Sequence, residues 1–203
     1  MKFQRAHRSI IRSIRQVALA KDWLDLRGNH ELPLIDEFEP NARSGDAEDL
    51  VLCKVVPDCD RQRYLCRRAG ARVEIASDVP LKSRFLDECL NPGILAAVQP
   101  LWATCLSNKL PVYSIVPSAD RNGCPVTLEK LYLPFSRDHA TADYLLISLH
   151  AFSPEGRFVL NGVLCQNTDR PPLHWAVLID PAMALPVAAT RDAAELADDV
   201  AMV

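Results

Sequence analysis

The sequence predicts an α+β domain: a five-stranded antiparallel sheet with helices on one face, preceded by an N-terminal amphipathic helix and followed by a C-terminal extension. Three observations predict it. Two β-prone runs, residues 50–56 and 64–68, flank the turn-forming stretch Pro57-Asp58-Cys59-Asp60-Arg61-Gln62, the pattern of a hairpin with a longer loop. A helical run follows, in which Ile94, Val98, Leu101 and Cys105 recur at spacings of 4, 3 and 4. Three further β-prone runs, 112–116, 127–135 and 144–152, are separated only by stretches rich in turn formers, so consecutive strands are expected to pair antiparallel.

Taken in order, residues 1–28 form a basic amphipathic helix. Lys2, Arg5, Arg8, Arg12, Arg15 and Lys21 stand in the first 21 residues without an acid. Phe3, Ile10, Ile14 and Val17 fall near one helical face, and Gly28 ends the run. That face is a candidate partner-binding surface, suited to a second copy of the chain or to the protein's own domain. The alternative is an adaptor for nucleic acid or an anionic membrane working through the basic charges, a use the pattern disfavours because such helices are mostly packing elements. Residues 29–49, polar and broken by Pro33 and Pro40, read as a connector.

In the first hairpin, pairing Val56 with Arg63 sets Cys53 opposite Cys66. A redox or metal pair with Cys59 is one reading, and two small buried side chains the favoured one, since a metal needs three or four ligands and no histidine is near. Short helical pieces are expected over 70–77 and 81–90, separated by Pro80. The long helix over 94–108 has Asn91 as N-cap and Pro92 in its first turn, with a kink at Pro100. In the strand over 127–135, Leu128, Lys130 and Tyr132 alternate with Glu129, Leu131 and Leu133, so both faces of the sheet need covering. Beyond residue 152, apolar runs at 159–164 and 175–179 add strands or cover the back, and 192–203 reads as a short acidic helix able to pair with the basic head.

Composition narrows the functional classes. Lys plus Arg number 23 against 26 acids, and a net charge of −3 is too small for the whole surface to bind nucleic acid or membrane. The longest uncharged stretch, 89–108, is too polar to cross a bilayer, and Arg12 and Arg15 interrupt any signal-peptide core. Seven cysteines at irregular gaps fit reduced thiols in the cytoplasm. No phosphate-cradling, zinc-protease or nucleophile-elbow motif occurs, so no catalytic residue and no metal ligand is assigned. His139 with Asp138 and Asp143 reads as a solvated turn rather than an acid/base cluster, and His150 as a sheet histidine rather than a haem or metal ligand.

The residues that point to a family are Trp23, Arg27-Gly28 and Pro33; Arg67 with Gly70; Pro111-Val112; and Glu129, Leu131, Leu133, Pro134 and Ser136. On these, residues 20–152 resemble the PAS sensor-domain superfamily, in particular its short stand-alone bacterial members. Arg68, Ala71 and the glycine-free hairpin Asp138-His139-Ala140 depart from the pattern. The resemblance implies a PAS-like domain over 50–152, with 153–203 as the extension. It also implies a cavity between sheet and helices, for which Val55, Tyr64, Phe85, Leu95, Trp102, Ile115, Leu133 and Ile147 are the candidate lining residues. Such a lining suits a small apolar ligand. Flavin is disfavoured because Ser83-Arg84-Phe85-Leu86 lacks the reactive cysteine of the flavin-binding type, and haem because no second ligand accompanies His150. The expected function is a non-enzymatic regulatory or sensory protein in signal transduction, acting as a homodimer through protein–protein contacts with a signalling partner.

Overall fold

The computed structural model describes residues 3–39, 47–59, 61–165 and 175–183. Seven strands, β1 (Gln4–Ala6), β2 (Leu50–Asp58), β3 (Arg61–Ala69), β4 (Val112–Ala119), β5 (Pro125–Phe135), β6 (Tyr144–Phe152) and β7 (Trp175–Ile179), form one sheet in the order β1-β7-β4-β5-β6-β2-β3. Among the described residues, four helices accompany it: α1 (Ile14–Arg27), α2 (Ala71–Ser77), α3 (Leu86–Cys89) and α4 (Pro92–Asn108).

This corrects the predicted five-stranded antiparallel sheet with helices on one face. Among the described residues the sheet has seven strands and is mixed, because β1 runs parallel to β7, and both faces carry helices. On one face, Val73 and Ala76 of α2, Leu86 of α3 and Val98, Leu101 and Trp102 of α4 pack on the sheet. On the other, Leu19, Ala20 and Trp23 of α1 meet Leu131, Leu133 and Phe135 of β5. The alternation along β5 produces this division, since successive side chains point to opposite faces.

The head is likewise not one helix over 1–28. Gln4–Ala6 is a strand and Arg8–Ile10 a 3-10 turn. Helix α1 begins only after Ser13, whose side chain accepts a hydrogen bond from the Gln16 amide. This is the N-cap half of a Ser-x-x-Gln capping box. Nor does the sheet stop at residue 152: β7 pairs antiparallel with β4 (Val112 opposite Leu178). Residues 160–165 form turns against α2, with the Gly162 and Leu164 amides donating to the Ile75 and Ala76 carbonyls. The acidic run over 192–203, and its pairing with the head, lies outside the described residues.

Three local features fix the frame. Cys53 stands directly opposite Cys66 across a β-bulge between Leu52 and Cys53, and both thiols are buried and free. Asn91 Oδ1 caps α4 through the Gly93 amide at 2.8 Å, and Pro100 lies on the solvent face of that continuous helix. The amide of Gly70 donates to the Leu50 carbonyl at 2.9 Å, and a Cβ at Gly70 would stand 2.2 Å from the carbonyl oxygens of Ala47 and Glu48.

Candidate functional site

Between the helices and the sheet lies a cavity of about 70 Å³. Leu86 and Leu90 at the ends of α3 and Ile94, Val98 and Trp102 on one face of α4 form its helical wall. Val51 of β2, Lys130 and Tyr132 of β5, and Ile147 and Leu149 of β6 form its floor. Leu81 and Leu164 complete it. Leu90, Ile94 and Leu164 are only partly buried and make its rim. The spacing in α4 explains the wall, since residues 94, 98, 101, 102 and 105 share one side of a 3.6-residue helix.

The cavity surface is almost wholly apolar, although three of the lining side chains, Lys130, Trp102 and Tyr132, carry a polar group that can donate. The Lys130 ammonium has no hydrogen bond or ion pair to any described residue, and burial pulls its pKa from 10.5 to about 8. Trp102 Nε1 and the Tyr132 hydroxyl are buried and likewise without a hydrogen-bond partner; Ser114 Oγ lies near the Tyr132 hydroxyl but closes no bond of normal geometry with it. Leaving such a group unsatisfied costs about 1–3 kcal/mol. Behind the cavity Tyr64 meets the Trp102 ring edge-on, centroids 4.6 Å apart, and burial raises the Tyr64 phenol above its ordinary range.

Of the eight residues expected to line a pocket, Trp102 and Ile147 do so. Val55, Tyr64 and Leu95 belong to the surrounding core without bordering the cavity. Phe85 precedes α3 and carries the Arg63 guanidinium over its ring at 3.8 Å. Ile115 and Leu133 project from the opposite face, into the layer beneath α1, because they fall on the other parity of β4 and β5. Lys130 was absent from the expected lining, although its place between Leu128 and Tyr132 in the alternation was the available signal.

Three of the four residues of the expected partner surface are partly buried against the core. Phe3 packs on the α4 side, Ile10 and Val17 pack under α1, and only Ile14 stays exposed, at 86%. Three of the head's cations are paired, Arg5 with Asp180 at 2.7 Å, Arg15 with Asp49 at 3.3 Å and Lys21 with Asp25 at 2.7 Å.

The remaining sequence candidates are tied into local structure. Asp138 accepts from the Ala140 and Thr141 amides, which hold its carboxyl below the usual range. Asp143 pairs with Arg137, and His139 stacks on His30 at 3.8 Å while its Nδ1 meets the Leu32 carbonyl. His150 tilts against Phe152 on the face away from the cavity. The Cys66 neighbour and burial push the Cys53 thiol well up. Among the described residues no group of three or more His, Cys, Asp or Glu side chains is placed to hold a metal ion, and no helix is long and apolar enough to cross a membrane.

Compared with known proteins, the chain matches no family model and no curated protein.

Proposed function

We propose that the protein is a non-enzymatic regulatory module that binds a small apolar ligand beneath α4 and passes the signal on through protein contacts, as a cytoplasmic homodimer. The resemblance to PAS sensors enters this reading through function alone, because the seven-stranded mixed sheet departs from the architecture it implied.

The observation that carries the reading is the cavity. Its walls come from β2, β5, β6, α3 and α4, so an occupant touches both layers and changes how α4 sits on the sheet. A ligand shifts a conformational balance only by binding one arrangement better than another, and a cavity between two layers provides that difference. For the contacts, folding leaves five large apolar side chains exposed among the described residues, Ile14 at 86%, with Ile75, Val159, Trp175 and Met183 less so.

Native mass spectrometry of the full chain tests the reading. The expected spectrum is a dimer, part of which carries additional small-molecule mass lost on denaturation. A strict monomer with no adduct in any preparation contradicts it.

A further inference from the structure

We propose that the groove between residues 35–39 and the β2–β3 hairpin binds a free apolar dipeptide, its carboxylate held by Arg67 and Arg68 and its ammonium by Asp36 and Glu39. The groove lies on the α1 face of the sheet, opposite the cavity beneath α4, and the proposal does not depend on that cavity.

The arginine pair is produced by the β-bulge. Leu52 stands opposite Arg68 and Cys53 opposite Cys66, so Arg67 is one residue more on β3 than β2 provides for. Residues directly opposite each other share a face of the sheet. Cys53 and Cys66 belong to the core under α4, and Leu52 to the layer on the other side, so Arg68 shares the face of Leu52. Arg67 lines the same groove. In a regular strand two consecutive side chains point to opposite faces, and a bulge re-aims them. Both arginines are exposed, and neither forms a hydrogen bond or ion pair with a described residue.

The opposite wall is acidic. The Ile35 amide donates to the Ser136 carbonyl at 2.8 Å, and Phe38 packs on Phe135 with ring centroids 5.2 Å apart, which fixes residues 35–38 beside the end of β5. Asp36 and Glu39 line the groove from that side, Asp36 also lying in the field of Arg137, whose guanidinium is bound to Asp143. Strands β6 and β2 run between the two walls, and Leu50, Leu52, Tyr144 and Leu146 make an apolar floor.

Charge and size together select the occupant. Paired guanidinium groups match a carboxylate, which they bind by parallel N–H···O bonds, and the acidic wall matches an ammonium. A plain anion leaves the acidic wall repelling it, and a plain amine meets the arginines as like charges. The groove holds about 500 Å³, against about 150 Å³ for a cavity that takes benzene, which scales to about twenty non-hydrogen atoms. Three strand spacings separate β5 from β3, about 14 Å. Side chains reaching in from both walls leave a gap that an extended dipeptide, about 7 Å long, can bridge.

The test titrates Leu-Leu, N-acetyl-Leu-Leu and Leu-Leu amide calorimetrically into the full-length wild-type protein, an Arg67→Gln/Arg68→Gln variant and an Asp36→Asn/Glu39→Gln variant. The expected result is wild-type binding of Leu-Leu at least about fivefold tighter than of either blocked form. The arginine variant no longer distinguishes Leu-Leu from its amide but still prefers Leu-Leu to the acetylated form, and the acidic-wall variant shows the reverse. The preference that each variant keeps shows that it is folded with its groove intact. Acetylated and free Leu-Leu binding the wild type equally overturns the proposal in favour of a protein C-terminus as occupant. Equal binding of all three probes, Leu-Leu affinity unchanged in both variants, or no binding of any probe overturns it outright.

Discussion

The indole nitrogen of Trp23, a fully buried side chain of α1, donates a 2.7 Å hydrogen bond to the carbonyl of Pro134 at the end of β5. Close by, the Ser136 amide donates to the Pro33 carbonyl at 3.0 Å, and Ile35 returns a bond to the Ser136 carbonyl at 2.8 Å. Trp23, Pro33, Pro134 and Ser136 were prominent in the sequence as parts of one motif. In the structure they are one seam, which fastens α1 and the segment after it to the sheet.

That seam has a mechanical consequence. Trp23→Phe keeps most of the buried ring but orphans the Pro134 carbonyl, so it is expected to cost about 1–3 kcal/mol, and Trp23→Ala about 3–5 kcal/mol. Urea unfolding monitored by circular dichroism measures both. A phenylalanine variant as stable as the wild type would show the bond to be dispensable.

Gly70 is required by space rather than by dihedral angle, since its φ of −76° suits any residue. A Cβ there meets backbone oxygens at 2.2 Å, and backbone cannot move aside as a flexible side chain can. Gly70→Ala is therefore expected to destabilise by about 1–3 kcal/mol or more, with the strain falling on the contact between β3 and residues 47–49. An unchanged unfolding midpoint would contradict this.

Lys130 sets a pH dependence whose sign follows from its depressed pKa. Between pH 8 and 10.5 the unfolded chain keeps a proton that the folded chain has released, so this group's contribution to stability rises with pH across that window. Below pH 8 its full cost is present, at most about 3 kcal/mol for a drop from 10.5 to about 8. Raised thiols and phenols act in the opposite sense at high pH, so the useful quantity is the difference between two proteins. Lys130→Met is expected to be more stable than wild type by about 1–3 kcal/mol at pH 7, the gap closing towards pH 10. A gap that stays constant, or has the opposite sign, is evidence against a buried charge.

The cysteines differ in reach. Cys59 is exposed, whereas Cys53, Cys66 and Cys105 are buried; the hydrogen bond with Cys66 and then burial raise the Cys53 thiol, and burial raises that of Cys105, which removes the reactive thiolate. Titration with a chromogenic disulfide reagent is expected to modify Cys59 rapidly and these three only on unfolding. Rapid modification of Cys53 in the native protein would mean that the β2–β3 hairpin opens.

How much of this was legible in the sequence depends on the range of the signal. The runs containing β2 to β6 are marked by local alternation and turn residues, and the facing of Cys53 and Cys66 follows from the hairpin register. The parallel pairing of β1 with β7 joins residues more than 170 positions apart, and no local pattern encodes it. Strand β1 was hidden inside a run whose apolar spacing imitates a helix, although Ser13 and Gln16 marked where the helix starts. The site was legible in part: Trp102 follows from helical spacing, but Ile115 and Leu133 were placed on the wrong face. Lys130 was passed over because a lysine in a strand usually faces water.

The central claim is that the cavity beneath α4 takes a ligand, and the indole N–H resonance of Trp102 reports on it directly. The chain has three tryptophans, and Trp23 lies on the opposite face of the sheet, an internal control. On titration with butyramide, a neutral probe independent of Lys130, the account predicts a saturable shift of the Trp102 signal with Trp23 unmoved. No shift at Trp102, or equal non-saturating drift of all three signals, would contradict it.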